Sequence, residues 1–112
     1  MTDLMFEERI ANGLRRLGLK PRVAGSIAAL RDALDGAALV VVDLQAEGFD
    51  GVEAVREAAA RGAPVIAFGR HTDADALRRA REAGARAVPR SSFFEQLPAL
   101  VASALESRTP AG

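Results

Sequence analysis

No cysteine occurs in the sequence, and that absence removes disulfides, thiolate nucleophiles and cysteine-based zinc sites together. The single histidine, His71, cannot build a histidine metal cage by itself. Tryptophan and tyrosine are missing too, which leaves five phenylalanines as the whole aromatic complement. Stacking of single-stranded nucleic acid therefore lacks its platforms, and only an unspecific attraction to phosphate remains, which argues against nucleic acid as a partner. Long hydrophobic runs are lacking: the longest, Ala37 to Val42, falls far below the ~20 residues that span a bilayer. The chain does not open with the basic, apolar and small-residue series of a signal peptide, so no membrane partner and a cytoplasmic location are expected.

What remains is the balance of a soluble globular protein. Hydrophobic residues make up 49% and charged residues 27% of 112 residues, enough for one hydrophobic core and too few for two ordinary domains. The expected division is one domain over residues 1–106 and a disordered tail over 107–112. Net charge is zero but unevenly spread, with six arginines between Arg70 and Arg90 against Asp73, Asp75 and Glu82. Arg78, Arg79, Arg81 and Arg86 read most simply as a solvated helix face, and alternatively as a surface for an acidic partner.

Hydrophobic spacing predicts strands alternating with helices. Phe6, Ile10, Leu14 and Leu17 recur at helical spacing after Asp3, a candidate cap, and before Gly18. Lys20 to Ala24 is a short strand candidate. Ser26 then caps a helix whose Ile27, Leu30 and Leu34 share a face, ended by Gly36. The apolar, mostly β-branched run Ala38 to Val42 suits a strand buried on both faces. A loop from Leu44 to Gly51 leads to a helix from about Val52 to Arg61, and Pro64 to Phe68 forms the next strand. Thr72 or Asp73 caps a further helix through Ala83, Gly84 ends it, and Ala87 to Pro89 is a last short strand. Ser92 and Glu95 have capping-box spacing ahead of a final helix reaching about Leu105, with Pro98 expected to mark where its regular part begins. Such alternation with short connections implies right-handed crossovers and a parallel sheet covered on both sides.

In open parallel sheets chemistry gathers at the carboxyl ends of the strands, which here means the residues after Val42, Phe68 and Val88. Asp43 leads them. Read alone it is a solvated strand-end acid, but its surroundings point further. Leu39-Val-Val-Val-Asp43 followed by Asp50-Gly51 resembles the phosphoacceptor strand and following loop of bacterial response-regulator receiver domains. Ala63-Pro64-Val65-Ile66-Ala67-Phe68 is similar to their fourth strand, and Ala83-Gly84-Ala85 to the turn before their fifth. The resemblance covers about Val23 to Leu105 and implies a three-layer α/β/α sandwich of flavodoxin-like receiver fold, with its first, central strand truncated or missing.

By that resemblance Asp43 is the phosphoacceptor, and Mg²⁺ would be held weakly by Asp43 with Asp3 or Glu8. Two alignments stand open. In the favoured one Asp3 belongs to the family's acid pair and the central strand is absent; in the other Leu4-Met5-Phe6 is a remnant strand and Glu7 and Glu8 are the pair. The family's strand-end hydroxyl falls on Gly69, which has no side chain, and its lysine falls near Arg90 or Ser91. Gly69, Arg90 and Ser91 are therefore the phosphate-binding candidates of a depleted site. His71 reads as a solvated turn residue.

The leading expectation is a degenerate receiver, not itself an enzyme, acting in two-component signal transduction through protein contacts. Its interaction face would carry Arg78, Arg81, Phe93 and Phe94, of which one phenylalanine packs into the core and the other is exposed. The partner would be a histidine kinase or an output protein, with a homodimer as a further option. The alternatives are a competent receiver phosphorylated at Asp43 by a histidine kinase, and a small flavodoxin-like ligand-binding protein.

Overall fold

Two apolar runs lie side by side as parallel strands, because residues buried on both faces can satisfy their backbone only by pairing with each other. These are β1 (Val40–Asp43) and β2 (Val65–Gly69), and β3 (Arg86–Pro89) pairs with the other edge of β2 in the order β1-β2-β3. All pairing is parallel, with Asp43 level with Phe68 and Gly69 level with Pro89. The computed structural model describes residues 4–46 and 48–108, apart from the side chains of residues 4–7, 107 and 108.

Among the described residues five helices cover this sheet: α1 (Leu4–Arg16), α2 (Ile27–Ala33), α3 (Gly51–Ala60), α4 (Ala74–Glu82) and α5 (Arg90–Arg108). The period of two along the strands divides the core. Val40, Val42, Val65 and Ala67 pack with Val55 and Ala58 of α3 and Leu77 and Ala80 of α4. Ile66, Phe68 and Val88 pack on the opposite face with Leu14 of α1 and Phe93, Leu97 and Leu100 of α5. The result is a three-layer α/β/α sandwich. Arg9 of α1 stands over Phe94 of α5, and a β-carbon on Gly13 would meet Leu97. The two helices therefore run in the same direction, both starting at the carboxyl end of the strands, and a side chain at Gly13 would have to displace the end of Leu97.

Local chemistry sets the helix ends. The Ser26 hydroxyl accepts a hydrogen bond from the Ala29 amide, Asp50 accepts from Val52 and Glu53, and Asp73 accepts from Ala76. Gly84 after α4 has φ +114°, a backbone that side chains disfavour.

Four sequence expectations are corrected. Lys20 to Ala24 is not a strand: Pro21 lacks an amide proton, Val23 is 75% exposed, and a cavity separates the segment from β1, the edge it would have to join. Leu4-Met5-Phe6 is helix and not a remnant strand, so the alignment that used it falls. Pro98 lies inside α5 and does not begin it. The inward side chains Phe93, Leu97, Leu100 and Val101 hold the helix together across the missing amide. The tail is also shorter than expected, because Ser107 and Arg108 still belong to α5, while residues 109–112 lie outside the described residues. Among the described residues no helix is long and apolar enough to cross a membrane.

Candidate functional site

Parallel pairing brings the ends of β1, β2 and β3 to one rim. Asp43 is the last residue of β1, half-buried, and its Oδ1 accepts a hydrogen bond from the Gln45 amide at 2.9 Å. This short turn bends the chain away from the sheet immediately after the Leu44 amide has donated to the Phe68 carbonyl. The following loop folds back onto the start of α3. A β-carbon on Gly51 would lie 2.8 Å from the Leu44 Cα, so the glycine after Asp50 is a packing requirement.

The Gln45 side chain then spans the rim. Its Oε1 accepts from the Arg70 amide at 2.8 Å, and its Nε2 donates to Asp73 Oδ2 at 3.2 Å. The other Asp73 oxygen accepts from the Ala76 amide at 3.1 Å, capping α4. One amide side chain therefore ties the end of β1 to the end of β2 and the start of α4. It occupies the space beside Gly69: a β-carbon there would stand 2.8 Å from Gln45 Oε1. Sequence reasoning passed over Gln45 as a loop residue. The available signal was a long amide side chain two residues after a strand-end acid, opposite a strand that ends in glycine.

The remaining candidates divide. Asp43, Gln45, Arg70 and Arg90 line one cavity of about 560 Å³, which Gly69 and Ser91 do not line. Arg90 is exposed as the first residue of α5, and Ser91 beside it is also exposed. His71 is exposed in a turn. Asp3 lies outside the described residues. Glu8 is a correction: it is exposed on α1, lies 3.6 Å from Arg15, and does not line the cavity that holds Asp43.

A hard dication needs several oxygens converging on one point. Among the described residues no group of three or more potential ligand side chains is found. Asp43 has one oxygen engaged by Gln45 and no second described carboxylate grouped with it, and Asp73 is taken up by Gln45 and Ala76. The described donors thus do not fit Mg²⁺.

The four residues expected on an interaction face do not share one: Phe93 is fully buried between α5, α1 and the sheet, with its ring 4.7 Å from that of Phe68. Phe94 is half-buried under the Arg9 guanidinium, 4.1 Å from the ring centroid. Arg78 pairs with Asp75 and Glu82 on its own helix, and the hydrogen bond it donates to Asp75, followed by the charge of Glu82, raises its pKa above the ordinary value. Arg81 is more than a solvated charge, since its Nε and Nη2 both donate to the Ala87 carbonyl, at 3.2 and 2.9 Å.

Comparison with known proteins follows this geometry. Sequence comparison finds no matching family and no matching curated protein. Solved structures do match. The receiver domain of NtrX from Brucella abortus superposes with a TM-score of 0.82 at 20% identity, over 94% of this chain and 93% of that one. The activated receiver domain of nitrogen regulatory protein C matches with a TM-score of 0.73 at 23% identity, over 96% and 91%. The signal receiver domain of a modulated diguanylate cyclase from Desulfovibrio desulfuricans, described as an example of alternate folding, gives 0.75 at 21% identity, over 93% and 87%. The chain has the flavodoxin-like fold of response-regulator receiver domains, with three parallel strands among the described residues.

Proposed function

We propose that this domain is a regulatory module of signal transduction, a degenerate receiver that acts through protein contacts and not by processing phosphate or any other substrate. One observation carries the reading: Gln45 fills the place beside Gly69 from which a strand-end hydroxyl would follow a phosphoryl group on Asp43. A phosphoryl group also needs its charge offset, and the described carboxylates do not assemble a cation site beside Asp43. The partner would be a histidine kinase or an output protein meeting α4, β3 and α5, where Arg78 is accessible and Arg81 fixes α4 to β3; Phe94 lies on the other side of α5, beneath Arg9 of α1.

A second reading has its own support. Asp43 stands at the rim in a cavity shared with Arg70 and Arg90, a setting in which an acyl phosphate would meet positive charge. The two readings separate on incubation with acetyl phosphate and Mg²⁺. The degenerate module should remain unmodified, and a partner captured from its native cell should bind wild type and Asp43→Ala alike. Near-stoichiometric, hydroxylamine-labile phosphate that disappears in Asp43→Ala would establish the competent receiver instead.

A further inference from the structure

The cavity at Asp43 extends far beyond the rim, along the whole free edge of the sheet. Ile10, Ala11 and Leu14 of α1 form one wall, Leu30 of α2 and its C-cap Leu34 form the opposite wall, and the irregular segment from Leu19 to Ser26 closes the far side. Its floor is β1. The Val40 amide donates to the Pro64 carbonyl and the Leu44 amide to the Phe68 carbonyl, so even-numbered residues face β2. Amides of a parallel strand alternate in direction. The amides of Val41 and Asp43 and the carbonyls of Leu39 and Val41 therefore point into the cavity, and among the described residues no strand pairs with them.

These features together define what fits. Backbone donors and acceptors in a row ask for another backbone, since neither a helix nor an apolar side-chain surface can answer them. Apolar walls on both sides ask for apolar side chains on both faces of that backbone, as in any doubly covered strand. The edge is four residues long, matching a segment of about four or five residues at ~3.3 Å each. It lies between walls contributed by α1 on one side and α2 on the other. Among the described residues, Lys20, Arg22 and Arg70 bring positive charge to the margins of the lining, beside Asp35 and Asp43.

We propose that this slot is a docking site for an extended apolar segment of a partner protein, flanked by acidic residues, which adds itself to β1 as a fourth strand. The inference goes beyond the regulatory reading by naming the surface and the chemistry of the partner, and rests on it only in expecting a protein partner. Binding would satisfy the edge of β1 and give the segment from Leu19 to Ser26 a surface to close upon.

The test uses the full chain and a capped peptide, Glu-Val-Val-Ile-Val-Glu, followed by residue-resolved amide hydrogen exchange. With about 1 mM peptide, exchange at Val41 and Asp43 should slow by about tenfold or more, while Val40 and Val42, already bonded to β2, stay unchanged. Peptides N-methylated at every second amide, prepared in both phases, should show loss of binding for one phase. Val41→Pro removes the outward amide and should abolish binding, and the N-methylated peptides make the same point should that variant fail to fold. Replacing the flanking glutamates by lysines should weaken binding several-fold at low salt.

The proposal is overturned by unchanged exchange at Val41 and Asp43, or by binding indifferent to both N-methylation phases. Protection that grows with protein concentration without peptide would assign the slot to a second copy. Full protection in the free, dilute protein would assign it to a segment of the chain itself. Failure of the peptide leaves the phosphate experiment at Asp43 untouched, so the two readings fall separately.

Discussion

The side-chain oxygen of Gln45 lies 2.8 Å from the point that a β-carbon on Gly69 would occupy. The two residues are thus fitted to each other, and a side chain at position 69 would have to displace the Gln45 carboxamide from its hydrogen bond to Arg70. Gly69→Ser should destabilise the fold by about 1–3 kcal/mol through overpacking. In a Gln45→Ala background the same change should cost clearly less, with a coupling above about 0.5 kcal/mol in a denaturant-unfolding double-mutant cycle. Additive costs would show that Gln45 does not set the constraint.

Gln45 also holds Arg70 and Asp73 through different atoms, and the two roles can be separated. Gln45→Glu retains an acceptor for the Arg70 amide but loses the donor to Asp73 and places two carboxylates together. Slow exchange at the Arg70 amide should therefore survive in Gln45→Glu, whereas exchange at Ala76, whose partner is Asp73, should quicken. Gln45→Ala should release both amides, at a cost of about 1 kcal/mol.

Two arginines of α4 that look alike in sequence should respond in opposite ways. Arg81 bridges to the backbone of β3 through two donors, and Arg81→Gln should lower unfolding stability by about 1–2 kcal/mol. Arg81→Lys should restore little, because a single ammonium does not reproduce the guanidinium fork. Arg78 pairs only with exposed acids on its own helix, and Arg78→Gln should leave the thermal midpoint unchanged.

The sequence made the alternation of elements legible because burial on both faces leaves an unmistakable mark. Ala38 to Val42 and Pro64 to Phe68 read as buried strands, and Ser26, Gly36 and Gly84 mark helix ends through chemistry that is local. Lys20 to Ala24 was misread because strand formation is not local: the segment has acceptable residues but no edge within reach. Pro98 was misread for the complementary reason, since the tertiary packing of Phe93 and Leu97 outweighs one missing hydrogen bond. At the site, Asp43, Gly69 and Arg90 were legible as strand-end positions. Gln45 was not, because its importance arises only when the ends of β1 and β2 and the start of α4 come together.

Arg31 of α2 donates to Glu57 of α3 at 2.7 Å, a tether between the two helices. That hydrogen bond, supported by the charge of Arg31, holds the Glu57 carboxyl below its ordinary value of 4.5, against the opposing effect of desolvation. A lowered folded-state pKa gives stability that is present above the unfolded value and lost as pH falls through the folded one. The tether should therefore persist at neutral pH and fail only below about pH 4.5. A carboxyl-carbon NMR titration should place the Glu57 midpoint below that value, and Arg31→Gln should move it upward.

Pro98 sits in the ninth position of α5, exposed, on a helix whose inward face is formed by Phe93, Leu97, Leu100 and Val101. Proline cannot donate to the carbonyl four residues earlier, and its ring crowds that carbonyl, so the helix carries a cost that its packing must outweigh. Pro98→Ala keeps the exposed face small and returns one donor to the ladder. It should raise unfolding stability by about 1–3 kcal/mol and slow amide exchange in the turns on either side. The ring also lines a shallow groove with Arg9, Leu17 and Phe94, so removing it should loosen that groove slightly without reaching the core. A variant no more stable than wild type would mean that the helix already bends to accommodate the ring, and that the contact between α1 and α5 depends on the bend.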